Sequence, residues 1–290
     1  MYVLASAVHN TIPGDRPTDP AAELKALTGR EYRRTDHFIQ LAVLGAHKVA
    51  AVKKPAPDTA VYLTSGQGNI AVFERICNLR RRENQLPRPV DFINLLSNSA
   101  GFYVASHLGL EAKNLFVSHH HFPVQTALSA AENDLTLKRH EMVLLGGVDQ
   151  WYPRRELGRR LLGVPAGTRM GEGSNWLLLA STATGARARI EVWPHVDNKV
   201  LSHAGEEIFL AFSPHVSLEQ RKDFFAQYPQ CRSFRYEDDC GYYETLPLFV
   251  INSFLERKSG SLIHIDCRNN RTMAIMVARL QQEDTRNSEK

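Results

Sequence analysis

SHHHFPVQTALSAAENDL at residues 118–135, followed by MVLLGGVD at residues 142–149, is the stretch on which the fold turns. Asn114 to Ser118 reads as a short strand. Pro123 opens a helix of small residues that runs to Leu135, and Glu141 to Leu145 reads as a second strand ending in the turn Gly146-Gly147-Val148-Asp149. Proline suits the first helical turn because the N–H it lacks has no intrahelical partner there. Strand, sharp elbow, helix and strand in succession are the grammar of an α/β protein.

The same alternation continues outward. Upstream, Tyr2 to Val8 is a β-rich strand followed by a Pro/Gly/Asp-rich loop. Asp36 to Val52 has helical spacing at Phe38, Leu41, Ala42 and Val49, with Gly45 completing the face. A strand from Thr59 to Thr64 runs through Ser65-Gly66-Gln67-Gly68-Asn69 into a helix from Ile70 to Leu79, and a small-residue helix spans Ser97 to Leu108. Two glycines without the full dinucleotide or P-loop pattern favour a tight turn over a phosphate cradle. Downstream, Trp176 to Ser181 and Ala188 to Trp193 read as a strand pair about Ala183-Thr184-Gly185. A strand at Glu207 to Phe212, helices at Leu218 to Tyr228 and Tyr243 to Glu256, and strands at Ser261 to Asp266 and Thr272 to Ala278 follow. No repeat at solenoid period is visible.

With 43% hydrophobic and 23% charged residues, the 290-residue chain has the composition of a soluble protein able to bury a sizeable core. No apolar run approaches the roughly 18 residues of a membrane span, and the start lacks the flank and cleavage site of a signal peptide, so the expected location is the cytoplasm. Cys77, Cys231, Cys240 and Cys267 are scattered without CxxC spacing and read as reduced thiols. The net charge of +4 gathers in Arg80-Arg81-Arg82, Arg88, Arg154-Arg155 and Arg159-Arg160, which suit solvated faces or an acidic partner. No nucleic-acid-binding motif accompanies them. His119-His120-His121 places imidazoles at i and i+2, but no third ligand stands at useful spacing, so neither metal nor cofactor is expected.

Four ordered segments resemble the β-ketoacyl synthase branch of the thiolase superfamily. They are Val90 to Gly101 with Leu108-Gly109-Leu110 and Asn114, the small-residue helix 123–135, Val143 to Asp149, and Gly171-Glu172-Gly173-Ser174-Asn175-Trp176-Leu177-Leu178-Leu179. The resemblance implies a thiolase-like layered αβαβα fold with an abridged C-terminal half: an N-terminal half over 1–184, a shortened half over 185–280 and a polar tail over 281–290.

In that family a nucleophilic cysteine sits just before the helix, where backbone N–H groups and the helix dipole favour a thiolate. Counting back 25 residues from Gly146 places His121 at the cysteine. No counterpart of the first catalytic histidine's motif is found, and Cys240-Gly241-Tyr242-Tyr243-Glu244-Thr245-Leu246-Pro247 puts Tyr242 at the second. No catalytic residue is therefore assigned. The hairpin His264 to Thr272, usually glycine-rich, has no glycine, and its Cys267 reads as a buried structural thiol.

His121, Phe122, Gln125, Tyr242 and Cys267 are the candidates for a residual pocket. Asn114, Leu115, Phe116, Val117 and Ser118 form the edge that in the family pairs across a dimer axis, and Arg154 and Arg155 are candidates for contact with an acidic carrier protein. The implied role is a non-catalytic, chain-length-factor-like subunit that pairs with an active β-ketoacyl synthase and helps shape the acyl tunnel in fatty-acid- or polyketide-like, including aryl-polyene, biosynthesis. Alternatives are a thioester hydrolase or decarboxylase using His121 or Cys267, and a stand-alone acyl-binding homodimer.

Overall fold

Which core each successive strand residue joins shows what covers each face of the sheet. In the computed structural model, which describes residues 1–11, 19–151, 155–195, 200 and 207–280, the strands are β1 (Tyr2–Ala7), β2 (Ala60–Thr64), β3 (Asn114–Val117), β4 (Met142–Asp149), β5 (Gly173–Ala180), β6 (Ala188–Trp193), β7 (Ile208–Phe212), β8 (Arg232–Ser233), β9 (Ser261–Arg268) and β10 (Arg271–Arg279). They join in the order β3-β2-β4-β5-β1-β6-β10-β9-β7-β8. The helices are α1 (Pro20–Thr28), α2 (His37–Val52), α3 (Ile70–Arg81), α4 (Pro89–Leu95), α5 (Ser99–Leu108), α6 (Pro123–Thr136), α7 (Arg155–Leu161), α8 (Leu218–Gln227) and α9 (Leu246–Arg257).

Val143, Leu145, Leu177 and Leu179 join one core with α6 and α9, while their neighbours Leu144, Trp176 and Leu178 join a second with α2 and α5. On the other half, Phe209, Ala211, Leu262, Ile275 and Val277 face that same α6/α9 core, and Leu210, Ile263, Ala274 and Met276 face a third beside α8. This two-residue alternation means both faces are covered, with α6 and α9 enclosed between the halves. The layers are helix, sheet, helix, sheet, helix. The outer layer of the second half is thin: α2 buries nine residues, whereas α8 fully buries none and leans on half-buried Phe224 and Phe225.

Connectivity is duplicated. β1–β5 run in the order 3-2-4-5-1 and β6–β10 in the matching order 8-7-9-10-6, with parallel outer pairs and antiparallel inner ones in each half. α6 and α9 occupy equivalent places, and each has a proline in its first turn, Pro123 or Pro247.

Three readings of the sequence need correction. The loop after β1 contains α1, which has ordinary stop signs: the Asp19 carboxylate accepts from Ala22 N at 3.1 Å, Pro20 opens the helix and Gly29 closes it at φ 68°. β5 and β6 do not pair with each other, because β1 lies between them. Gly146 and Gly147 are not a turn but the middle of β4, where a Cβ on Gly146 would stand 2.3 Å from the buried Trp176 ring.

Candidate functional site

The elbow between β3 and α6 is held by its own side chains. His119 Nδ1 accepts from the backbone N–H of His121 at 3.2 Å and of Phe122 at 3.1 Å. Phe122, the N-cap residue, makes no side-chain cap of its own, and His119 instead satisfies the N–H groups of the N-cap residue and of the residue before it. His121 Nε2 accepts from Asn269 Nδ2 at 2.9 Å, which requires neutral imidazole. Burial, then the charges of His120, Arg268 and His119, push its pKa below the usual histidine value.

Asn269 belongs to the β9–β10 hairpin, whose two-residue tip, Asn269-Asn270, has φ of 49° and 60°. That is the primed-turn conformation asparagine tolerates without glycine. The hairpin brings Cys267, Arg268 and Asn269 to a cavity of about 600 Å³, walled also by His120, His121, His215, Glu244 and Leu161–Leu162.

Behind the cavity lies a buried charge cluster. Arg268 donates through Nη2 to the Tyr242 hydroxyl at 2.7 Å and to Glu244 Oε2 at 3.3 Å, and through Nε to Asp266 Oδ1 at 3.3 Å. Ser213 Oγ donates to the same Asp266 oxygen at 2.5 Å. Burial raises the Glu244 carboxyl to about 7, against the pull of Arg268 and with the help of Asp149 and Asp266. Glu244 packs on Gly66 so closely that a Cβ there would lie 2.1 Å from Glu244 Cβ. The Ser65-Gly66-Gln67 turn is a cradle for an internal anion: Ser65 Oγ, Gly66 N and Gln67 N all donate to Asp149 Oδ1, and Thr245 N donates to its other oxygen at 2.8 Å.

Of the pocket candidates, His121 and Cys267 line the cavity. Tyr242 is buried one layer behind, reached through Arg268. Phe122 and Gln125, 2% and 1% exposed, are enclosed and form no part of this wall. Cys267 is half-buried rather than buried, its Sγ 3.3 Å from Thr272 Oγ1, and burial pushes the thiol up.

His215 went unrecognised in the sequence. It stands three residues past β7, its Nε2 donating to Leu162 O at 3.0 Å and its ring set edge-on to Tyr242. The strand Glu207 to Phe212 ending in Ser213-Pro214-His215 was the available signal. Arg154 lies outside the described residues, as does the side chain of Arg155. Among the described residues no group of three or more His, Cys, Asp or Glu is placed to hold a metal ion, and no helix is long and apolar enough to cross a membrane.

The strand ahead of the elbow has an open edge. Among the described residues β3 pairs only with β2, in parallel, from Asn114 opposite Val61 to Val117 opposite Thr64. Ser118 lies just past the end of β3. α5 packs on β2 and β3, α4 on α5, and α3 on α4. These three helices and the α4–α5 link expose Phe73, Phe92, Ile93, Leu96 and Phe102, each by half its surface or more.

No family model and no curated protein matches the chain. Solved structures do. The ishigamide ketosynthase/chain length factor is 12% identical with a TM-score of 0.72, over 97% of this chain and 99% of that one. AntDE:AntF, a type II polyketide synthase acyl-carrier protein in complex with its ketosynthase bound to the hexaketide, is 13% identical with a TM-score of 0.64, over 96% and 99%. The PfaC keto synthase–chain length factor is 11% identical with a TM-score of 0.63, over 97% and 43%. At such identities the likeness is one of fold, and it spans nearly the whole chain.

Proposed function

We propose that this chain, which has the fold of the ketosynthase/chain length factor structures, is a non-catalytic subunit that pairs with an active β-ketoacyl synthase and helps shape the tunnel for a growing acyl or polyene chain. The observation that carries this reading is the elbow: His121 stands where the resemblance puts the nucleophilic cysteine. The cavity's thiol, Cys267, is pushed away from the thiolate by burial, which outweighs its contact with the Thr272 hydroxyl. Pairing is supported by the open edge of β3 together with the apolar side chains exposed on the helices packed beside it, since an unpaired edge and exposed apolar surface both call for a partner. The partner class is a synthase subunit with the same layered fold, acting in the cytoplasm with an acyl carrier protein in a type II polyketide or aryl-polyene pathway. Arg154 and Arg155 are the proposed carrier-facing residues.

The test is co-expression of the tagged chain with a β-ketoacyl synthase of such a pathway, followed by native mass determination. A stable one-to-one complex is expected. A homodimer that ignores the synthase, or thioester condensation by the chain alone that His121→Ala abolishes, would overturn the reading. A second reading, thioester hydrolysis or decarboxylation, draws on His121, His215 and Glu244 sharing one cavity. Incubating a malonyl carrier protein with the chain alone and weighing the product decides between them: an unchanged mass favours the silent subunit, a loss of carbon dioxide or of the whole acyl group the enzyme.

A further inference from the structure

Replacing a nucleophile silences a site only in part. At a helix N-terminus, backbone N–H groups still attract negative charge whatever side chain stands there. Here two donors of the elbow have been taken. Pro123 has no N–H, and the next two donors back along the elbow, on Phe122 and His121, both point at one acceptor, His119 Nδ1. The ring that supplies it is tilted 34° against the Phe122 ring with centroids 6.1 Å apart. It is solvent-exposed, so it is not there to fill the core.

We propose that His119 is an internal cap that withholds two of the elbow's backbone donors, those of His121 and Phe122, from any thiolate or oxyanion, so that the site is deprived of part of the means of activating a nucleophile as well as of the nucleophile. This rests on the elbow being the counterpart of the synthase's nucleophile elbow. It also assigns the His119-His120-His121 run a division of labour: His119 caps, while His121 reaches across to Asn269 on the hairpin.

The test restores a thiol and asks how acidic it is. In His121→Cys, with His119 in place, the introduced thiol is expected to titrate in the ordinary cysteine range, read as the pH midpoint of its alkylation by iodoacetamide and located by peptide mass spectrometry. In His119→Ala/His121→Cys the freed donors lower that midpoint by about one pH unit or more. At pH values below both midpoints the double variant then reacts about three- to fourfold faster for each pH unit by which the midpoint falls, the tenfold gain in thiolate being partly offset by lower nucleophilicity. His119→Asn/His121→Cys, whose amide oxygen can accept in place of the ring nitrogen, should return toward the first value. Equal midpoints in the first two variants, whether both low or both ordinary, overturn the proposal.

A second measurement needs no new thiol. Amide hydrogen exchange at His121 and Phe122 should speed up in His119→Ala alone, and unchanged exchange also overturns the cap. Complex formation with a synthase, followed on the same variants, reports separately on the subunit reading.

Discussion

Glu244→Gln isolates one buried charge. The substitution keeps the side chain's shape, which matters because Gly66 sits against it, and it leaves Arg268 bonded to Asp266 and to the Tyr242 hydroxyl. The wild-type carboxyl is 6% exposed and titrates near 7 instead of 4.5, so the folded protein keeps its proton over a range where the unfolded chain has lost it. In that window the folded state binds more protons than the unfolded state, and stability falls as pH rises. The shift corresponds to roughly 3 kcal/mol, fully lost once pH exceeds 7 and not yet lost below about 4.5. Glutamine does not titrate. The stability of Glu244→Gln relative to wild type should therefore climb by about 3 kcal/mol between pH 4.5 and 7 and stay level above. Urea unfolding of both proteins at half-unit pH steps measures this directly, and groups that titrate alike in the two proteins cancel in the difference. A difference that is flat with pH, or that grows toward acid, would refute the placement of Glu244 as a predominantly desolvated carboxyl.

His264 is fully buried on β9 with no hydrogen-bond partner on either ring nitrogen, and burial lowers its pKa to about 4. His264→Leu should stabilise the protein by about 1–3 kcal/mol at neutral pH by removing unsatisfied polar atoms. That gain should widen below pH 6.5, where the unfolded histidine takes up a proton the folded one refuses, and paired denaturation curves at pH 7 and 5 check both halves. Phe102 lies 62% exposed beside the open β3 edge, so Phe102→Glu should change stability by no more than about 0.5 kcal/mol. If that patch is central to pairing, it should weaken assembly with the synthase by roughly thirtyfold or more, as loss of a 2 kcal/mol anchor does. Equal titration of synthase by both proteins removes the patch from the proposed interface.

Elements whose signals are local were legible in the sequence. The elbow and its helix start at Pro123, the strand into Ser65-Gly66 was visible, and Trp176 to Ser181 reads as a strand that the structure begins three residues earlier, at Gly173. What stayed hidden depends on distant partners. Gly146-Gly147 looks like a turn until Trp176 from the neighbouring strand is seen to need the room. β5 and β6, separated by a glycine turn, have the form of a hairpin, and nothing near them reveals that β1 comes between. The duplication of the fold leaves no repeat because each half needs only buried alternation, which many sequences satisfy. At the site, His121 and Tyr242 were found by spacing within a resemblance, whereas His215 stands in no recognised motif and enters the cavity only because β7 lies beside β9. The cap by His119 is a matter of ring orientation, which a run of three identical residues does not disclose.

The central position of β1 also sets a schedule for the growing chain. Its ladder partners are β5 and β6, with Tyr2 opposite both Ala180 and Arg189. At about 5–20 residues per second the ribosome needs on the order of ten to forty seconds to supply them after β1 is made. Until then the strand that joins the two halves has no place to go, and contacts of this span are the slow ones in folding. Once made, β1 must wait as an unpaired apolar segment for the sheet that it will hold together, which makes those seconds an interval in which the nascent protein is exposed to chaperones and to mispairing.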